Sequence, residues 1–365
     1  MTLHLYFGRR FFMSYLSIFS IFLGLALLFD FTENVRRFGG ADTSLGAVFQ
    51  LTLLSAPEAL YRILPIIMVI ATLSMFLAVA RSSELVVARA AGRSAIRSLL
   101  APCLVALLLG VLTVAVINPL VAATSKEYDL RSNALRGDRA SILSISAQGL
   151  WLRQGTGDTQ TVIRALSSNL DGTTLRDVTF VTFTQGGTPT QRIEAERATL
   201  AGTAWQIENA KVWPLSGTAN PERAARFHEQ LSLATDLTRE GIRDSFGTPS
   251  VIPIWSLPAF IAQLERAGFS ARRHLVWFHT ELATPVFGLA MVLIGASFTM
   301  RHTRASRTSL RVLSAIMVAF GLYFLRNFAQ ILGENGQMPI WLAAWAPPLA
   351  GIGLALGLLL HLEDG

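Results

Sequence analysis

The chain has 365 residues, 52% of them hydrophobic and only 15% charged, with a net charge of +7 and a mean hydropathy of +0.46. That balance excludes an ordinary soluble enzyme and points to an integral membrane protein. One cysteine, Cys103, excludes a disulfide framework, and two lysines, Lys126 and Lys211, exclude a P-loop, because neither follows the glycine run that would cradle phosphates.

Uncharged runs near membrane-spanning length cover residues 11–29, 63–80, 98–124, 282–300 and 338–360. A further run, 312–332, is interrupted only by Arg326, so six spans are predicted. The first run reaches roughly 28 Å as a helix, enough to cross a hydrocarbon core, and no small-x-small cleavage site follows it. It is expected to remain in the mature chain. Arginines cluster at Arg9 and Arg10, at Arg81, Arg89, Arg93 and Arg97, and at Arg301, Arg304, Arg307 and Arg311. Six alternating spans put all three clusters on one side, which the positive-inside rule makes cytoplasmic, with both termini.

Between the third and fourth spans the composition changes. Residues 125–273 are nearly balanced in charge and carry short β-prone runs: "GLWLRQGTGDTQTVIRA" around a Gly-Thr-Gly-Asp turn, the alternating "VTFVTFTQGG", and "RIEAERATLAGTAWQIENAKVW" around an Ala-Gly turn. This predicts an exported all-β domain of sandwich or jelly-roll type, resting on its own core. "PERAARFHEQLSLATDL" reads as a short helix followed by a strand. "IWSLPAFIAQLERAGFSARRH" reads as an amphipathic helix with Leu257, Ile261 and Leu264 on one face. The predicted fold is a polytopic α-helical membrane protein with six transmembrane helices and a jelly-roll-like β domain between helices 3 and 4, divided as 1–124, 125–273 and 274–365.

One polar stretch, "RSSELVVARAAGRS" at 81–94, separates spans 2 and 3. A short helix over 82–92 would have a serine cap, Glu84 in its first turn and Gly92 at its end. Arg89, Arg93 and Arg97 repeat every four residues, a like-charge ridge that needs an anionic partner. Anionic lipid explains the arginines; a protein socket also explains Glu84 and the Leu85-Val86-Val87 face. Both readings stand on the residues alone.

Catalytic patterns are lacking. No H-E-x-x-H or G-x-S-x-G occurs, and His274 and His279 near Glu281 are five residues apart, on different helix faces, so no metal site is expected. Arg36 and Arg37 lie on the exported side, where the positive-inside rule supplies no reason for them. Pairing with Glu33, three and four residues earlier, is the local explanation. Arg326 is either an interior functional group or a residue snorkelling to the interface.

Taken together, "RSSELVVARAAGRS", "DFTENVRRF" after span 1, "ILP" opening span 2, "NPL" ending span 3, "GLWLRQ" and "WLAAWAPPL" in span 6 resemble the lipopolysaccharide-export permease family in the same order along nearly the whole chain. Of its two paralogous branches, the acidic-and-arginine signature after span 1 and "GLWLR" are more similar to the G type than the F type. The resemblance implies a permease subunit of a bacterial inner-membrane ABC transporter. It would pair with an F-type subunit and be powered by a separate ATPase dimer that binds the ATP. Lipopolysaccharide would pass to a bitopic C-type bridge protein. No cofactor of its own and no nucleic-acid partner are expected. Ser83, Glu84, Leu85, Val86, Arg89 and Gly92 would couple to the ATPase, and Arg36 and Arg37, with Glu33 and Arg326, would meet the lipid headgroup. Asp30 stands where relatives often carry a lysine; it would pair with Arg36 or Arg37, or the headgroup would differ.

Two other classes compete. A scaffold or sensor with an external β domain would need no cations aimed at a headgroup. An intramembrane enzyme would need paired carboxylates, histidines or an activated serine, which the sequence does not offer at workable spacing.

Overall fold

A computed structural model describes residues 2–39, 44–82, 84, 95–136, 143–146, 149–156, 159–169, 172–184, 187–216, 220–235, 237–238, 242, 248–266, 268–300 and 308–363. The chain divides into a helical unit, Met1–Arg136 with Ser250–Trp255 and Arg272–Gly365, and a β unit, Gly137–Pro249 with Ser256–Ala271.

The helical unit contains α1 (Thr2–Phe38), α2 (Leu45–Arg81), α3 (Ala95–Leu112), α4 (Asn118–Arg136), α6 (Arg272–Thr299), α7 (Thr308–Glu334) and α8 (Ile340–Glu363). A π-turn at Thr113–Ile117 joins α3 to α4 into one span, so six helices are long and apolar enough to cross a membrane. Residues 125–136, expected in the β domain, instead continue α4. The turn also has a use: Ala115 O accepts the Trp255 indole N–H at 3.2 Å, and the Asn118 side chain accepts Ile254 N–H at 3.0 Å, fixing the 250–255 segment against the third span.

At 37 residues each, α1 and α2 extend about 55 Å, well beyond a hydrocarbon core of about 30 Å. Ser44 caps α2, accepting Ala47 N–H at 3.2 Å. The core is built on α2 and α6, where Ile67, Met75, Phe76, Phe287, Met291 and Ile294 are fully enclosed. Close approach is set by small residues: a Cβ on Gly110 of α3 would lie 2.5 Å from Pro285 Cα of α6. By contrast α1 and α7 bury only 11% and 17% of their most apolar windows, leaving Leu25, Leu28 and Phe29, and Met317, Phe320 and Phe324, facing outward. Such faces suit lipid or another membrane subunit.

The β unit is a seven-stranded antiparallel meander in the order β1 (Leu143–Ser146), β2 (Gly149–Thr156), β3 (Thr159–Ser168), β4 (Thr174–Thr184), β5 (Pro189–Ala201), β6 (Ala204–Pro214) and β7 (Arg226–Ala234). This corrects the two-sheet sandwich: among the described residues every strand pairs with its sequence neighbour, most links being short, as at Ala201 to Ala204, where Gly202 has φ +62°. The sheet nevertheless curls over its apolar face. Four strand steps separate β2 from β6, about 19 Å in a flat sheet, yet the Trp205 indole donates to Gln154 Oε1 at 3.2 Å. Thr235 donates to the same oxygen at 2.6 Å, and Phe180 meets Trp205 edge to face.

Residues 221–224, expected to be helical, form a turn before β7. The amphipathic helix is present as α5 (Leu257–Arg266), burying Leu257, Ile261 and Leu264. It stops at Gly268, φ +88°, where Phe269 N–H reaches Leu264 O and a Cβ would strike Ser168 O at 2.1 Å.

Candidate functional site

Three polar clusters interrupt the apolar surface of the helical unit. The first lies near the N-terminus of α1. Tyr6 and Arg10, one turn apart, both reach Glu84, two residues beyond the Ser82 cap of α2. Arg10 Nη1 lies 2.7 Å from each carboxylate oxygen, Tyr6 donates at 2.8 Å, and Ser82 Oγ donates at 2.8 Å. Partial burial pushes the Glu84 carboxyl upward, but the hydrogen bonds from Ser82, Tyr6 and Arg10 outweigh it and hold the group below its ordinary value. Of the expected coupling residues only Glu84 is described; Ser83, Leu85, Val86, Arg89 and Gly92 lie outside the described residues. Arg10 and Tyr6 were missed by sequence reasoning, since an arginine at a span mouth reads as an orientation signal.

The second cluster is at the other end of the same helix. Glu33 accepts Arg36 Nε and Nη2 at 2.9 and 2.8 Å and Arg37 Nε at 2.5 Å, the local pairing anticipated from their spacing. The side chain of Arg36 remains 76% exposed and that of Arg37 50%, so donors on both stay open to an anion. Among the described residues Asp30 pairs with neither; it accepts a hydrogen bond from Ser55 Oγ of α2 at 3.0 Å. Buried Asn34 holds this end of α1 in place, donating to Thr52 Oγ1 at 3.2 Å and accepting from Tyr128 of α4 at 3.1 Å. Arg36, two residues on from Asn34, lies on the opposite side of the helix, whereas Arg37, three residues on, lies on the anchored side near Tyr128.

The third cluster contains Arg326, which makes its contacts apart from Arg36 and Arg37. It donates to Thr284 Oγ1 of α6 at 3.0 Å and lies 4.9 Å from the Phe287 ring centre. It therefore packs inward instead of snorkelling. With Tyr61, Glu58, Arg62 and Glu281 it lines a cavity of 380 Å³. Glu281, 1% exposed, accepts a hydrogen bond from Tyr61, while Glu58 pairs with Arg62 and accepts Ser125 Oγ at 3.0 Å. His274 and His279 are not gathered with Glu281 into a metal-binding group among the described residues. Glu281 thus acts as a polar tie between α6 and α2.

A bundle of six membrane-length helices, with a β unit between the third and fourth and polar clusters at both ends of α1, defines a polytopic membrane protein with an appended β domain. The chain belongs to the lipopolysaccharide export system permease LptF/LptG family, whose model matches residues 5–361. It is similar to the lipopolysaccharide export system permease protein LptG of Haemophilus influenzae, 25% identical over 100% of this chain and 99% of that protein. It is also similar to LptG of Escherichia coli, 25% identical over 95% of this chain and 92% of the relative. The protein is accordingly a multi-pass inner-membrane component of lipopolysaccharide export.

Proposed function

We propose that this chain is the G-type permease subunit, pairing with an F-type paralogue and driven by a separate ATPase dimer that docks at the segment around Glu84. It lies with both termini cytoplasmic and its β unit periplasmic. The observation that carries this reading is the placement of two clusters on one helix. Glu84, in the segment that resembles a coupling helix, is clamped to Tyr6 and Arg10 of α1, and the same helix presents Arg36 and Arg37 about 39 Å further on.

A single helix can move as a rod, so displacement of the segment around Glu84 by a closing ATPase would be carried to the far end of α1. There Arg36 and Arg37 offer planar donors suited to the phosphates of the lipid headgroup, favoured where water is partly excluded. Glu33 keeps the pair oriented and reduces its charge, and Asp30, held by Ser55, leaves the local balance less positive than a lysine there would. Arg326, through Thr284 and Phe287, fixes α7 against α6 beside the transport path. Lipopolysaccharide would leave along the apolar concave face of the β unit to the C-type bridge.

The test is copurification with the candidate ATPase and lipopolysaccharide. Glu84→Ala should release the ATPase, while Arg36→Ala with Arg37→Ala should keep it and lose bound lipopolysaccharide. Wild type retaining neither would overturn the reading in favour of a scaffold.

A further inference from the structure

Beyond the export path, a groove of 1040 Å³ runs between α1 and α3 at the arginine-bearing end of the bundle. Leu5, Gly8 and Phe12 form one wall and Ala101, Leu104 and Leu108 the other, and His4 and Arg9 complete the α1 lining. We propose that this groove is a binding site for an anionic phospholipid of the cytoplasmic leaflet, its acyl chains lying along Leu104 and Leu108 and its phosphate at Arg9.

Length, charge and position argue for that occupant. Along α3 the lining runs from Ala101 to Leu112, about 17 Å, and along α1 from His4 to Phe12, about 12 Å. Both are near half of a hydrocarbon core of about 30 Å. One leaflet's acyl chains fit this span. The walls are apolar apart from His4 and Arg9 on α1, and Arg9 is exposed, matching an amphiphile with an anionic head. The groove lies near the ends of α1 and α3 that carry Arg9, Arg10 and Arg97, which the positive-inside rule places at the cytoplasmic face.

The groove is also separate from both clusters on α1. Leu5, Arg9 and Phe12 recur at helical spacing on one face, Tyr6 and Arg10 hold Glu84 from the adjacent face, and Arg36 is about 40 Å away along the helix. Gly8 marks where the α1 wall meets α3, since a Cβ there would contact Val105 and Ala101 at 3.5 and 3.6 Å.

The experiment uses the full chain, purified and reconstituted with equal parts phosphatidylglycerol and phosphatidylethanolamine, each in turn carrying a photoactivatable acyl chain. Wild type should be labelled on Leu104 and Leu108 preferentially by phosphatidylglycerol. Ala101→Phe, which fills the groove, should lose that label while labelling elsewhere persists. Arg9→Gln, an exposed change that leaves packing intact, should lower the preference about fivefold, the equivalent of about 1 kcal/mol for one arginine near an anionic surface. Equal labelling by the two lipids in wild type, an undiminished preference in Arg9→Gln, or label on α3 that survives Ala101→Phe would each overturn the proposal. Cross-linking of this groove to a copurified polypeptide would overturn it as well.

Discussion

Arg10 Nη1 lies 2.7 Å from both carboxylate oxygens of Glu84, joining the first turns of α1 to the segment that follows α2. The pair is only partly buried, so its direct worth is about 1 kcal/mol or less. Its consequence is mechanical. In a double-mutant cycle on lipopolysaccharide release by the proposed ATPase complex, Arg10→Ala and Glu84→Gln should be clearly non-additive, with Arg10→Ala alone lowering release about fivefold while the ATPase stays bound. Additive losses would show that the two residues act independently.

The same contact fixes a pH dependence. The Glu84 carboxyl is held below its ordinary value of 4.5, so its contribution is fully present above that value and is lost as pH falls through the lowered one. Contact between α1 and Glu84 should therefore be constant across the neutral range. Carboxyl NMR of glutamate-labelled protein, assigned with Glu84→Gln, should give a titration below 4.5 that moves back up in Arg10→Ala.

At the far end of α1, Glu33 competes with any incoming phosphate for Arg36 and Arg37. Glu33→Gln should tighten lipopolysaccharide retention and make it more salt-sensitive. Arg36→Ala with Arg37→Ala should weaken retention by about tenfold or more, since it removes two charge-assisted donors to the phosphates. Retention measured across a salt series separates the two effects.

Gln154 closes the curled sheet by accepting from both Trp205 and Thr235. Gln154→Leu keeps the volume but strands two buried donors, at a cost of about 2 kcal/mol or more. Tryptophan fluorescence during thermal unfolding of the full chain should show an earlier transition, while cross-linking to the ATPase at low temperature is unchanged.

Gly110 sits where α3 crosses α6 against the backbone of Pro285. Gly110→Ala forces the helices apart and should cost about 1–3 kcal/mol. A lower melting temperature and a smaller monodisperse fraction in detergent would be seen, whereas Gly357→Ala, with open space around it, should behave as wild type.

Much of the architecture was legible locally. Hydropathy runs marked six spans, and the Ala201-Gly202 turn placed the β5–β6 hairpin, because burial in lipid and chain reversal are each decided by a few consecutive residues. The spacing of Glu33, Arg36 and Arg37 likewise announced their pairing. The end of the third span was misplaced at 124, since α4 carries Lys126, Glu127 and Asp129 on a helix that runs past the apolar zone, and polarity alone does not end a helix.

The sequence by itself determined which six segments are long and apolar enough to cross a membrane and that the stretch between the third and fourth is β-structured. Composition and short-range periodicity carry that information because each residue's preference for lipid, water or a strand is its own. Only the tertiary structure decided that Glu84 answers to Tyr6 and Arg10, more than seventy residues away, and that Glu281 meets Tyr61 across 220 positions. It likewise decided that seven consecutive strands curl until Gln154 touches Trp205. Which donor satisfies which buried acceptor depends on how helices and strands pack, and that choice among chemically equivalent partners is made by three-dimensional proximity alone.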